Sequence, residues 1–574
     1  MFRSRLNIDA EQGRRRDSLP LKVSLKAFWK FLTPYWTSKD SLMSWFILAV
    51  IVIMTASAVY LATAINAWYK RFWDTFEQYN VPGFWHELMI FAILATVHVL
   101  ISVYNAFLKS RLSIRWRAWL TDNVLEDWLS RDTYYKLQLA DSNTDNPDQR
   151  IAEDLKLFVN STIVLLLGTS TDLAMMITFG VVLWELSGAV TMEMWGMTFN
   201  LPDGYMFYLA IAYAILGTTV TFLLGRPLVK LNFRQQRYEA DFRFSLIRVR
   251  ENSESIAMYR GQEQEGVYLK NSFFHVVRNY LLLIDCQKRL GFLTLGYAQL
   301  AVIFPILIAA PMYFAKIITI GSIMQISSAF GRVQDSLSTL VANFTSWAEW
   351  KAVVDRLALF FDSMQRTEDL KALPVQHDEN VPFELKHLTV RDPTGRVLVE
   401  DLSMSLDYGQ SLLIQGHSGC GKSTLLKSIC GIWPYASGEV SIKDTGNMLF
   451  LSQRPYLPQG TIAQCAFYPE KDGDRGKLKE YLELLDLGNL VNSIDVDDQW
   501  THILSLGEMQ RIAIIRALLL RPKLLFMDEA SSALDTQNEA LAYKMIFESM
   551  PDSIIVSVGH KVALTNMHAK TLNL

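Results

Sequence analysis

Charge is scarce in this chain of 574 residues: Asp, Glu, Lys and Arg together make up 20 %, while half the residues are hydrophobic. A soluble protein of this length carries more charge, and the mean hydropathy of +0.15 points the same way. A charge excess of one sign is also missing, with 55 basic against 58 acidic residues and a net charge of −3. That balance leaves no electrostatic footprint for nucleic acid. Cysteine is rare: Cys286, Cys420, Cys430 and Cys465 have no metal-ligand spacing, which excludes a disulfide scaffold or a zinc site and leaves free thiols. No short apolar stretch follows the basic N-terminal residues. The first apolar run starts only near Leu42 and is long enough to stay as a membrane anchor instead of a cleaved signal. No second copy of either half of the chain is present.

What the chain does have is a series of long apolar runs. A bilayer core of ~30 Å takes ~20 apolar residues in a helix. Such runs fall near 42–66, 87–108, 161–185, 206–225 and 291–315. A sixth, near 319–345, is small and polar enough to line a pathway, and its Arg332 and Asp335 point to a bundle-facing or partly cytosolic helix. The expectation is an α-helical domain of six spans. Between the runs, 109–159 and 226–290 are rich in Lys and Arg, whereas 186–205 has neither. The positive-inside rule places the N-terminus, both long loops and the C-terminal half in the cytosol. Residues 25–36, mixing Lys with aromatics, read either as a helix lying on the membrane surface or as a solvated lead-in helix. Predicted divisions are 1–41 for this interfacial segment, 42–361 for the membrane domain, 362–382 for a charged, Pro-containing linker and 383–574 for an α/β domain of short strands and amphipathic helices.

The α/β half carries the chemistry. GHSGCGKST at 416–424 follows the apolar strand SLLIQ and opens a helix, the strand–loop–helix setting of a phosphate-binding P-loop. Gly416, Ser418, Gly419 and Gly421 let backbone N–H groups close around phosphate oxygens, and Thr424 stands in the helix's first turn. Lys422 would reach the terminal phosphates and Ser423 would hold Mg²⁺. In LLFMDE at 524–529, a buried strand would deliver Asp528 to the magnesium shell and Glu529, one residue on, to the attacking water as general base. ATP and Mg²⁺ are the implied substrate and cofactor.

Between these motifs lies LSLGEMQR at 504–511, which resembles the signature of ABC ATPases. The resemblance implies that Ser505 and Gly507 meet the γ-phosphate held by an opposite subunit. Leu506 and Glu508 depart from the commonest form, LSGGQ. By the same resemblance Gln453 matches the Q-loop glutamine that senses Mg²⁺, residues 532–535 match the D-loop, and His560 matches the switch histidine at the γ-phosphate. The usual adenine-stacking aromatic upstream of the P-loop is absent; Arg391 and Asp392 stand there, with Arg391 a candidate for cation–π stacking.

In the membrane half, NPDQRIAED at 146–154 and ENSESIA at 251–257 resemble bacterial YddA-type permease–ATPase fusions, peroxisomal fatty-acyl-CoA half-transporters and SbmA/BacA-type permeases. Both stretches lie in the long inner loops, either as coupling helices that rest on the ATPase or as self-contained turns. His98, Asp172 and Glu185 either line a polar pathway or sit solvated at the ends of spans. Pro305 and Pro311 would bend the fifth span. The resemblance implies an ATP-driven translocase, a half-transporter working as a homodimer in a bacterial inner membrane, with its ATPase cytosolic. Its cargo is left open among amphipathic, acyl, peptide or corrinoid molecules. The alternative is an ATP-dependent membrane regulator or scaffold that transports nothing.

Overall fold

The computed structural model describes residues 19–140, 146–188, 190–194, 197–368 and 370–574; the basic residues before Leu19, and Asp145, lie outside them. The chain divides into two compact units, one of residues 1–127 and 145–362, the other of 128–144 and 363–574.

The first unit is helical. Helix α1 (Leu21–Trp36) precedes α2 (Leu42–Glu77) and α3 (Val81–Leu129). Helix α4 (Thr133–Ala140) falls in the second unit, and α5 (Leu155–Leu186), α6 (Tyr205–Glu251), α7 (Gln262–Phe314) and α8 (Ile320–Thr367) complete the first. Among the described residues, five helices are long and apolar enough to cross a membrane, those containing α2, α3, α5, α6 and α7. The expected sixth span falls on α8, a 48-residue helix that is not one of the five. Its Ser and Gln residues, with Arg332 and Asp335, dilute its hydropathy. Large apolar side chains stand bare along the others, among them Phe46, Ile53, Val103, Leu223 and Leu307. Such surfaces are stable only in lipid, where helices already satisfy their own backbone groups.

Inside the unit, packing joins elements far apart in sequence. Helix α1 buries Ser24, Ala27, Phe28, Phe31 and Tyr35, a stripe at helical spacing. Phe28 meets the Trp350 ring at 5.1 Å, Phe31 meets Phe361 at 5.0 Å, and Tyr35 stacks on Trp116. Asp355 accepts from the Leu19 N–H, the Ser24 hydroxyl and Lys351, so the start of α1 is fastened to α8. Leu21, Leu25 and Trp29 are left exposed on the other face. Helices α6 and α7 are clasped by two tyrosines: Tyr213 donates to the Tyr297 carbonyl at 2.7 Å, Tyr297 donates to that of Tyr213 at 2.9 Å, and the rings stack at 4.4 Å.

The second unit is built on two sheets. Strands β1 (Val190–Met194) and β2 (Met197–Leu201) form a hairpin in the first unit, so the ATPase-like half starts with β3 (Val375–Gln376). A four-stranded sheet runs β3–β7–β4–β5, with β4 (Phe383–Arg391), β5 (Val397–Leu406) and β7 (Ala436–Ile442). The segment read as a linker is therefore partly structured: α8 continues to Thr367, and Val375 pairs with Val440. The parallel sheet runs β13–β6–β12–β11–β8, from β6 (Ser411–Gln415), β8 (Met448–Leu451), β11 (Leu524–Asp528), β12 (Ile554–Val558) and β13 (Lys570–Asn573). Two-residue strands β9 (Gly460–Thr461) and β10 (Asp497–Asp498) pair beside it. Every residue of β11 and β12 is buried, as continuous apolar runs in a parallel sheet should be. Helices α9 (Lys422–Ile429), α10 (Leu506–Leu520) and α11 (Thr536–Ser549) cover this sheet. Leu139 of α4 packs against the core beneath β4, β6 and β7.

Candidate functional site

The parallel sheet lines up the carboxyl ends of β6, β8, β11 and β12, and the loops leaving those ends carry the predicted residues. After β6 the P-loop turns through Gly419 and Gly421, whose φ angles of +83° and +107° suit glycine. A Cβ at Gly421 would also lie 2.9 Å from that of Leu398, so the loop has no room for a side chain there. Gly416 starts the turn, Ser418 is exposed at its crest, and Thr424 lies in the first turn of α9. The Lys422 ammonium is buried and donates back to the Gly416 and His417 carbonyls at 2.9 and 3.1 Å.

Beside it, the Ser423 hydroxyl donates to Asp528 Oδ1 at 2.9 Å. Burial pushes the Asp528 carboxyl above the usual carboxylate range, with the Ser423 bond opposing and nearby Glu529 adding to the shift. A desolvated carboxylate next to a hydroxyl is a hard, all-oxygen donor pair short of positive charge. That fits a magnesium ion completed by phosphate and water.

Glu529 leaves β11 at φ 49°, a region that costs a non-glycine residue about 1–3 kcal/mol and clusters at functional sites. Its carboxylate lies between two neighbours: Gln453 Nε2 donates to Oε2 at 2.9 Å, and His560 Nε2 lies 3.4 Å from Oε1. Gln453, Asp528, Glu529 and His560, separated by up to 107 positions in the chain, thus meet at one sheet edge.

The signature segment opens α10 with a reciprocal cap. Glu508 N–H donates to Ser505 Oγ, and Glu508 Oε2 accepts from both the backbone N–H and the hydroxyl of Ser505 at 2.8 Å. The glutamate that replaces the usual glutamine therefore ties up the hydroxyl expected to meet phosphate. A Cβ on Gly507 would lie 3.2 Å from the Ala533 carbonyl, so α10 runs close against the D-loop at this glycine. Asp535 caps α11 through the Asn538 N–H at 2.8 Å, which holds its carboxyl below the usual range.

Sequence reasoning missed several participants. Gln510, fully buried, bonds to the Q-loop and the D-loop. Lys561, next to the switch histidine, pairs with buried Glu539 at 3.1 Å and donates to the Leu534 carbonyl. Lys561 carries no motif signal beyond standing beside one, and Gln510 lies inside the 504–511 stretch, where nothing in the sequence marks its buried contacts. Arg391 lies with 392–395 and 434–437, its guanidinium turned to the Gly395 carbonyl, and does not line the P-loop cavity. The Asp392 side chain caps that tight turn, accepting from the Thr394 and Arg396 N–H groups. Arg396 is the cation that lines the cavity of about 390 Å³ with Leu398, His417, Gly419 and Cys420.

In the membrane unit, 147–154 is half exposed, through Asp148, Gln149, Ala152 and Glu153, and half folded inward. Arg150, Ile151 and Asp154 are buried, and Asp154 takes a bond from Arg150 and two from Arg356. Ser253–Met258 of the second motif forms a short helix with no buried residue. His98 is half-buried with Nδ1 unbonded, Asp172 is half-buried and Glu185 exposed.

The ABC transporter transmembrane region 2 family matches residues 31–314, and the ABC transporter family, the ATP-binding part, matches 399–532. An uncharacterised ABC transporter ATP-binding protein of Haemophilus influenzae is 34 % identical over 95 % of this chain and 92 % of that protein. The chain belongs to the ABC transporter family. This transporter is also 32 % identical to the inner membrane ABC transporter ATP-binding protein YddA of Escherichia coli, over 96 % of this chain and 97 % of that one. It is 31 % identical to the chloroplastic ABC transporter D family member 2 of Arabidopsis thaliana, over 96 % and 86 %. It is a multi-pass membrane protein in which a permease is fused to an ATP-binding domain of the ATP-hydrolysing translocase type. Membership implies that ATP and Mg²⁺ bind.

Proposed function

We propose that this ABC transporter is a half-transporter that works as a homodimer, with six spans per chain and alternating access driven by ATP hydrolysis. The observation that carries this reading is the Glu529 carboxylate held between Gln453 and His560, next to the Ser423–Asp528 pair. Bound Mg·ATP supplies the phosphoryl group and neutralises its charge. Ser423, Gln453 and Asp528 hold the metal; Lys422 and the P-loop N–H groups hold the phosphates. Glu529 leaves one of its two present partners to take a proton from water, whose oxygen bonds to the γ-phosphorus as the bond to ADP breaks. His560 donates to the γ-phosphate. Arg396, with Val397 and Leu398, takes the base-side role once expected of Arg391.

Each chain holds one P-loop and one signature, and by family resemblance Ser505 and Gly507 face the partner's nucleotide. Two copies then give two complete sites. On α8, Arg332 and Asp335 are exposed. They lie roughly 18–23 Å along the helix from Ile320, where charge facing lipid is costly. A partner or a watery pathway covering them suits a transporter. The N-terminus and ATPase are cytosolic in a bacterial inner membrane, and kinship with SbmA/BacA-type permeases rests on the loop motifs alone. Cargo is of the amphipathic, acyl, peptide or corrinoid kind. The test is reconstitution: candidate cargo should stimulate ATP hydrolysis in proteoliposomes and cross the bilayer with it. Stimulated hydrolysis with no cargo movement across the whole panel would favour an ATP-dependent regulator.

A further inference from the structure

Four hydrogen-bonding contacts converge on one side chain that takes no part in the chemistry proposed above. Gln510 stands on α10, one turn beyond the signature cap, and none of it is exposed. Its Nε2 donates to the Gln453 carbonyl at 2.8 Å and to the Ser532 hydroxyl at 3.1 Å, with the Glu529 carbonyl at 3.5 Å. Its Oε1 accepts the Ala533 N–H at 2.9 Å. A primary amide has two N–H donors and an oxygen that accepts, so this one is fully engaged.

The partners are not neighbours in sequence. Gln453 belongs to the segment after β8, Glu529 follows β11, and Ser532 and Ala533 form the turn into α11. Each of these backbones carries, or adjoins, a group that has to be placed for hydrolysis. The Gln453 peptide bears the side chain that holds Glu529. The Glu529 backbone is in a strained conformation that its surroundings must maintain. The turn at Ala533 is the one that Gly507 approaches. In a dry interior, removing one partner leaves the others without a match, so the group holds or fails together.

We propose that Gln510 is a positioning residue for hydrolysis, locking the signature helix, the metal-sensing loop and the D-loop into one body so that a phosphate meeting Ser505 sets the position of Glu529. The proposal rests on the ATPase reading above and adds to it a link between the signature and the general base within one chain. Gln510 touches no reacting atom, and none of its four contacts is to the P-loop.

That separation defines the test, made on the full-length transporter in lipid nanodiscs. Gln510→Met keeps the volume and removes every polar contact; Gln510→Glu keeps the acceptor for Ala533 and loses both donors. Turnover per bound nucleotide, the ATP dissociation constant and the melting temperature are measured together, with Glu529→Gln as a blank. Turnover should fall at least about tenfold in Gln510→Met while the dissociation constant stays within about threefold, and Gln510→Glu should be no better. The Mg²⁺ concentration for half-maximal rate should rise, because Gln453 is no longer held. Turnover per bound nucleotide within twofold of wild type in Gln510→Met overturns the proposal. So does a loss of turnover matched by an equal loss of nucleotide binding or folded protein, which would make the residue purely structural. If wild type itself shows no turnover above the Glu529→Gln blank, the ATPase reading fails instead.

Discussion

At the scale of single residues, the site is a set of charges and backbones held in unfavourable states until ligand arrives. Asp528 is the clearest: burial lifts its carboxyl, so its ionised form is penalised in the folded protein. A raised folded-state value means stability is fullest below the unfolded value near 3.8 and declines as pH climbs through the higher folded one. Asp528→Asn should therefore raise the melting temperature of nucleotide-free protein at pH 7, flatten its dependence on pH above 4, and abolish Mg²⁺-dependent hydrolysis. Thermal scans across pH check the first two; a lower melting temperature in the Asn variant would contradict the assignment. The thiols behave in the opposite sense to reactive ones. Burial lifts Cys430 to about 12 and Cys465 to about 11, which leaves them protonated at neutral pH and chemically inert.

At the scale of elements, the sequence reading and the structure part in instructive ways. The P-loop, the LLFMDE strand and the switch histidine were legible because each pairs a motif with its local context. What was not legible is what packing decides. Arg391 and Arg396 look interchangeable in sequence, and only the capped turn at Asp392 separates them in space. The first inner loop shows the same effect: NPDQRIAED reads as a coupling helix or a self-contained turn, and only packing turns Arg150 and Asp154 inward while Asp148 and Glu153 stay exposed. The upstream helix α4 is the part of that loop that joins the ATPase-containing unit. Asp154 pairs with both Arg150 and Arg356 and so fastens that segment to α8. Asp154→Ala would take from Arg150 and Arg356 the buried carboxylate that they share, and losing charge-assisted hydrogen bonds of this kind costs about 1.5–3 kcal/mol. The variant should melt well below wild type in detergent, with Asp154→Asn between the two. An unchanged melting temperature in the Ala variant would show that the cluster does not hold the helices.

At the scale of the whole molecule, scarcity of charge, long bare helices and one complete set of ATPase motifs converge on a membrane machine driven by ATP. Its central claim is that Glu529 is the base that turns over ATP bound by Lys422, Ser423 and Asp528. The direct measurement is ATP binding and ATP hydrolysis by purified, reconstituted wild type and Glu529→Gln, side by side. The account predicts that the variant binds Mg·ATP as tightly as wild type while its turnover falls by about 10²–10⁴-fold. Hydrolysis by Glu529→Gln at the wild-type rate would contradict it.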